Sequence, residues 1–468
     1  MSSAHLGGRA PPRLEPFFAR LSDDPLTHAF SKKQPLMPWR SHRALPADAG
    51  RRELEALRHR TDGLRPRVAY VHVPFCHARC AFCGFFKNRY EPSASAPYVE
   101  AVIAEMTRES RDPRLRARPI RAVYFGGGTP TALEPHDLAR LVRATRELLP
   151  LAADCEITLE GRVAYLDDAR LDAALDAGVN RISLGVQSFD TDIRRKQGRR
   201  ASKDEVIRFL ERLVHRDRVT VVIDLIYGLP GQDDARWNED LRTCVDLGLD
   251  GVDLYTLALF PGTPLFKAIE DGRAAPPASF AARAHRYLMG VQTFDEAGWT
   301  QISNSHFART PRERNQYNRL VKEGAETFAY GSGAGGSLGR LSFANEGCLE
   351  RYRARNEQGE KPVETVREAD PLQPARDRVL GELDGGGLDL AGVAGASPDA
   401  PRIAPLLDAL AHQWQSAGLL NRIGDRVRLS TAGRFWSNNL ASSLFELLER
   451  SFPEALGAEP ATSEGANA

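Results

Sequence analysis

Residues 70–90 read YVHVPFCHARCAFCGFFKNRY. Cys76, Cys80 and Cys83 stand there in a C-x3-C-x2-C spacing, directly behind an apolar run. Three thiolates on one tight loop suit three irons of a cubane [4Fe–4S] cluster, because such clusters are built on cysteine ligation. A cubane has a fourth iron, which then lacks a protein ligand and is open to a small molecule. A structural zinc site is the nearest alternative. Zinc takes four closed ligands, usually as paired C-x2-C knuckles, and the chain has no second cysteine pair. His77 would complete a set of three cysteines and one histidine, but it sits inside the loop, where reaching back is awkward.

C-x3-C-x2-C after an apolar strand resembles the signature of the radical S-adenosylmethionine (SAM) enzymes, and the resemblance spans most of the chain. Tyr70-Val71-His72-Val73-Pro74-Phe75-Cys76 is similar to the opening of the oxygen-independent coproporphyrinogen oxidase branch, which includes heme chaperones and radical methyltransferases. Cys83-Gly84-Phe85-Phe86, followed by Asn88 and Tyr90, resembles the anaerobic heme-degrading methyltransferases, the anaerobilin synthase group. The resemblance implies a [4Fe–4S] cluster on Cys76, Cys80 and Cys83. It also implies one SAM chelating the open iron through its amine and carboxylate, and a second SAM.

From residue 66 onward, short apolar stretches alternate with amphipathic ones. Strands are predicted at 68–73, 122–125, 156–160, 181–186, 219–226 and 252–259, with helical sequence between them. Such alternation means α/β architecture, a parallel sheet with right-handed crossovers. Six units fit a partial (β/α)6 TIM-like barrel, the fold the resemblance implies, with chemistry at the C-terminal strand ends. The expected organisation is a partly disordered N-terminal extension, 1–65, packed on the outside, and a barrel, 66–300. A lid or substrate segment, 301–370, follows, then a winged-helix-like helical domain, 371–452, and a disordered tail, 453–468.

Gly126-Gly127-Gly128-Thr129-Pro130 follows the second strand, where glycines let a ligand approach the backbone. By resemblance, Gly127, Gly128 and Thr129 belong to the segment that receives the methionine amino group of SAM. Glu160 ends the third strand, where a carboxylate can accept hydrogen bonds from a ribose or an amine. Gln187 ends the fourth, and Arg199 lies twelve residues on. Asp224, inside the apolar fifth strand, needs a partner, because burying a lone charge is costly. The resemblance makes Gln187, Arg199 and Asp224 SAM contacts, with Arg199 facing a carboxylate. It adds Phe82 and Ala258 to that set, and Tyr70 as a catalytic residue beside Glu160.

The segment before the second glycine-rich turn (Gly331, Gly333, Gly335, Gly336) reads Arg314-Asn315-Gln316-Tyr317-Asn318. Heme chaperones of the branch carry His-Asn-x-x-Tyr-Trp there, and coproporphyrinogen dehydrogenases carry Cys-Gly-Cys where this chain has Cys83-Gly84-Phe85. Both differences favour the methyltransferase over those two alternatives. Arg309, Arg312 and Arg314 form a run that is either a solvated face or a clamp for tetrapyrrole propionates, since guanidinium forks fit carboxylates. His306 is a structural histidine or a heme ligand.

The chain has 468 residues, 42% hydrophobic and 27% charged, with net charge +1, which fits two or three soluble domains rather than a nucleic-acid binder. No apolar run approaches the roughly 20 residues of a membrane span, and the N-terminus lacks a signal-peptide core. Cys155, Cys244 and Cys348 are scattered, which is not a disulfide framework. Free thiols and an oxygen-sensitive cluster point to the cytoplasm. The resemblance implies a heme or related tetrapyrrole substrate and a flavodoxin- or ferredoxin-type electron donor, since the sequence holds no second cluster motif.

Overall fold

The computed structural model describes residues 12–34, 36, 42–63 and 65–456. The disorder expected of 1–11 and 457–468 lies outside the described residues. The chain divides into one unit of 44–368 and another built from its two ends, 1–43 and 369–468.

The larger unit is organised on one mixed sheet. Strands β1 (Arg67–Val73), β2 (Ile120–Gly127), β3 (Leu151–Gly161), β4 (Arg181–Gln187), β5 (Thr220–Tyr227) and β6 (Gly251–Thr256) run parallel and adjacent in chain order. These six are the barrel strands expected from the sequence. Strands covered on both faces need near-continuous apolar side chains, and TVVIDLIY of β5 supplies them. Four of the helices start on short polar caps: Asp167, Ser202, Asp233 and Ser279 each accept a hydrogen bond from the backbone N–H three residues on.

After β6 the chain adds β7 (His306–Ala308), antiparallel to β6. It then forms the helix Gln316–Lys322 and β8 (Glu326–Tyr330), which lies parallel beside β1. The repeat therefore continues where the polar sequence suggested a break. Strands β9 (Gly335–Leu338), β10 (Leu341–Asn345) and β11 (Val363–Glu368) extend the sheet beyond β8 as antiparallel ribbons.

Within the segment 301–370, residues 309–314 are tied to the strand beginnings. Arg309 Nε donates to the Leu249 carbonyl at 2.9 Å, just before β6. Arg312 donates to Asp217, ahead of β5, at 2.5 Å. Arg314 donates to the Asp154 carbonyl at 2.8 Å. Arg181, the first residue of β4, pairs with Glu313 at 2.9 Å. Residues 309–317 thus close the N-terminal end of the sheet, the end opposite the Cys loop.

The N-terminal extension is not one piece. Within the smaller unit, Trp414 Nε1 donates to the Phe17 carbonyl and Trp436 Nε1 to the Pro25 carbonyl, each at 3.0 Å. The helix Ala47–Arg58 belongs to the larger unit, where Gly50 lies against Val366 of β11. The smaller unit's C-terminal part runs helix Gln373–Asp384, β12 (Gly387–Asp389) and helices Leu390–Gly395 and Ala400–Ser416. The hairpin β13 (Leu420–Ile423) and β14 (Arg426–Leu429) follows, then helix Ser437–Ser451.

Candidate active site

Side chains of a strand alternate between faces, and the parallel register sorts those of the larger unit. Tyr70 pairs with Tyr124 and His72 with Gly126. Glu160 pairs with Ser183, Gly185 with Asp224, and Asp224 with Asp253. These residues share the inner face. Tyr70, Tyr124, Glu160 and Asp224 are half-buried among fully buried neighbours, and Tyr255 retains 42% exposure. They line a hollow open towards the strand C-termini.

The Cys loop crosses that open end. Tyr90 N–H donates to the Cys76 carbonyl, Ala81 N–H to Gln197 O, and Leu265 N–H to Ala81 O. Cys76 and Cys80 are buried and Cys83 is half-buried; all three are free thiols. Burial pushes the Cys76 thiol up, while Thr129 Oγ1 at 3.3 Å and Arg162 at 3.8 Å act in the opposite sense. Among the described residues no three metal-ligating side chains stand gathered around one ion's position. The case for the cluster rests instead on the donor set: three thiols on one loop, each able to take a different iron. His77 is held between rings, stacked on Tyr165 at 4.1 Å and 4.8 Å from Tyr90.

Gly127 and Gly128 are required by shape. Gly127 has φ +115° and a Cβ there would stand 2.6 Å from the His72 ring; one on Gly128 would stand 2.6 Å from the Phe75 carbonyl oxygen. The Gly127 backbone N–H favours the ionised Glu160 carboxylate, against the effects of burial and of Asp224. Burial and the neighbouring Asp224 charge push the Glu160 carboxyl up to about 7. Asp224 is likewise pushed up by burial and by Asp253. Two acids facing one hollow are the arrangement in which one holds a proton at neutral pH.

Gln187 ends β4 at φ +74°, an uncommon conformation for a side-chain-bearing residue, where the register with β5 shifts. Arg199 Nη1 donates to the Gly185 carbonyl at 2.5 Å, and the guanidinium lies 5.8 Å from the Phe82 ring centre. Its Nε is buried without a partner among the described residues. A buried guanidinium with a donor to spare, beside Glu160, Asp224, Cys80 and Cys83, is a ready carboxylate site. These residues fit the cluster and its SAM. Phe82 packs on Ile193, Ile226, Leu229, Leu257 and Leu265, next to the exposed Ala258.

Tyr70 Oη lies 3.0 Å from His72 Nδ1. Burial holds His72 down at about 4, so the imidazole is neutral near pH 7. Tyr317, on the floor helix, rises between Tyr70 and Tyr124, with ring centres 6.2 and 4.9 Å away.

The four residues considered for substrate do not join this site. His306 is fully buried, with Nδ1 2.8 Å from Asp253 and Nε2 3.2 Å from Glu313, at ion-pair distance though off the line of a hydrogen bond. The carboxylates raise it to about 9 against the opposing burial, and both nitrogens are taken up, so it is no heme ligand. Arg309, Arg312 and Arg314 sit on the floor, paired with Asp250, Asp217 and Asp154. Sequence reading missed His72, Tyr124, Arg162 and Tyr317. The two-residue alternation with Tyr70 and Gly126 carried the signal for the first two. Arg162 follows Glu160 by two residues, and Tyr317 had no local signal.

The chain belongs to the radical SAM superfamily, whose family profile matches residues 70–244. Within it, the chain is 44% identical over 437 residues to the anaerobilin synthase of Escherichia coli O157:H7, covering 93% of this chain and 96% of that protein. A heme chaperone of Lactococcus lactis is 31% identical over 62% of this chain and 74% of its own length. The solved coproporphyrinogen III oxidase of Escherichia coli superposes with a TM-score of 0.71 over 85% of this chain and 93% of that one, at 23% identity, which establishes the shared fold.

Proposed function

We propose that this chain is a radical SAM methyltransferase that methylates and opens the heme macrocycle without oxygen, releasing iron. The observation that carries it is the near full-length likeness to an anaerobilin synthase. When bound, the cluster and SAM supply one-electron reductive cleavage and a carbon radical. The protein's residues bind and orient. Cys76, Cys80 and Cys83 hold the cluster. The backbone of Gly127 and Gly128, with Thr129, receives the methionine end of SAM, and Arg199 its carboxylate. Phe82, Gln187, Asp224 and Ala258 complete the SAM contacts. Glu160 and Tyr70 face the reacting centre, with Tyr70 and neutral His72 sharing a proton at 3.0 Å. A second SAM serves as methyl source, as the likeness to the anaerobilin synthase suggests. A flavodoxin- or ferredoxin-type protein supplies the electron, and the cytoplasm is the compartment.

The test is anaerobic incubation of the cluster-loaded enzyme with SAM, heme and a low-potential reductant. Loss of heme absorbance is expected, and Cys80→Ala should abolish it. Heme bound tightly but left intact, in a sample that cleaves SAM, would make the protein a heme carrier instead.

A further inference from the structure

Beside the half-buried Cys83 an exposed aromatic pair, Phe85 of the cluster loop and Phe260 of the turn after β6, is not used by the site. Phe85 is 70% exposed and Phe260 43%. Their ring centres are 6.1 Å apart, edge to face, and Phe85 N–H donates to Cys83 Sγ at 3.3 Å. The same loop and the segment joined to it carry exposed cations. Arg79 and Lys87 belong to the loop; Arg195, Lys196 and Arg200 belong to the segment that Ala81 N–H joins through Gln197 O. Gly198 of that segment abuts the Arg79 carbonyl. None of the five has an ion-pair partner among the described residues, whereas surface arginines elsewhere, such as Arg216 and Arg236, are held by Asp residues. Residues 76–90 contain no acid at all. Asp190 is committed to Arg236, while Asp192, Glu91, Asp204 and Glu205 are exposed acids of the same stretches of chain. In a chain of net charge +1 this is a local concentration.

We propose that this rim is the docking surface for a small acidic one-electron donor protein, with Phe85 and Phe260 as its apolar part and the five cations as its charged part. The proposal rests on the cluster reading above. Cys76 and Cys80 are buried, so the Cys83 side is where a donor comes nearest. Charge complementarity speeds encounter and makes it salt-dependent, exposed aromatics supply contact energy, and a small rim suits a transient redox complex. The carboxylates of the substrate are the other anions that such cations attract.

The probe is purified flavodoxin, titrated calorimetrically onto the cluster-loaded enzyme, with stopped-flow reduction of the cluster by flavodoxin hydroquinone as the second readout. For the wild type, Kd should rise about tenfold between about 50 and about 300 mM salt. The double variant R195E/K196E and, separately, Phe85→Ser should each weaken binding and slow cluster reduction about tenfold or more. SAM cleavage driven by dithionite, and the heme KM under dithionite, should stay at wild-type values. Unchanged Kd and reduction rate in both variants would overturn the proposal. So would a heme KM that rises under dithionite, since the patch would then serve the substrate. Failure of the unaltered protein to cleave SAM with dithionite would remove the cluster reading itself.

Discussion

Replacing Glu160 by Gln removes a carboxyl that the fold holds against its chemistry. Burial and the nearby Asp224 lift it from 4.5 to about 7. At about 1.4 kcal/mol for each pKa unit, the ionised form is disfavoured by about 3 kcal/mol in the dry limit. The side chain is half-buried and faces the hollow, so water screening reduces the usable figure to about 1–2 kcal/mol. The folded chain keeps a proton that the unfolded chain releases above its lower pKa. That contribution is therefore complete below 4.5 and lost as pH rises through about 7. Glu160→Gln cannot titrate and lacks this slope. Scanning calorimetry of both proteins without SAM should show the Tm difference moving in the variant's favour by about 2 °C or more between about pH 5 and about pH 8. Parallel Tm curves across that range would refute the assigned burial and the coupling to Asp224.

Alanine at Cys76, Cys80 or Cys83 should eliminate the iron–sulfur absorbance, while Cys155→Ser and Cys348→Ser should leave bound iron unchanged by elemental analysis. Gly127→Ala forces a side chain into a left-handed backbone against the His72 ring; it should weaken SAM binding by calorimetry at least tenfold, a cost of about 1–3 kcal/mol, with iron content normal. His306→Ala leaves Asp253 and Glu313 without their shared cation and should lower stability by about 3–5 kcal/mol in denaturant titration. Because His306 is raised to about 9, its contribution is complete below pH 6.5 and fades as pH rises through 9, so wild-type Tm should fall across that range. Arg309→Ala, Arg312→Ala and Arg314→Ala should leave the heme KM unchanged, since all three guanidinium groups lie at the opposite end of the strands from the cluster loop.

The barrel was legible because each of β1 to β6 is a mostly apolar run followed by an amphipathic helix, and local patterning reports such units well. The cluster loop, the glycine turn and the strand-end residues Glu160, Gln187 and Asp224 were legible for a related reason: they lie at fixed offsets from those runs. The floor was not. Residues 309–317 carry the charges of a surface loop, and their partners, Leu249, Asp217, Asp154 and Arg181, are separated from them by about 60 to 160 residues. Spacing within a segment holds no record of such pairs. The same limit turned His306 into a candidate ligand: Asp253 meets it only through the antiparallel register of β7 with β6. The N-terminal residues Phe17, Ala19 and Pro25 were misplaced because their partners, Trp414, Gln413 and Trp436, come near the other end of the chain.

The most direct test of heme opening by methyl transfer is product analysis with SAM carrying a trideuterated methyl group. Cluster-loaded enzyme, heme and reduced flavodoxin would be combined anaerobically and the tetrapyrrole products weighed by mass spectrometry. A linear, iron-free tetrapyrrole that has gained the labelled methyl is the result predicted here. Intact heme, or a macrocycle altered only at its propionates and without label, would contradict it.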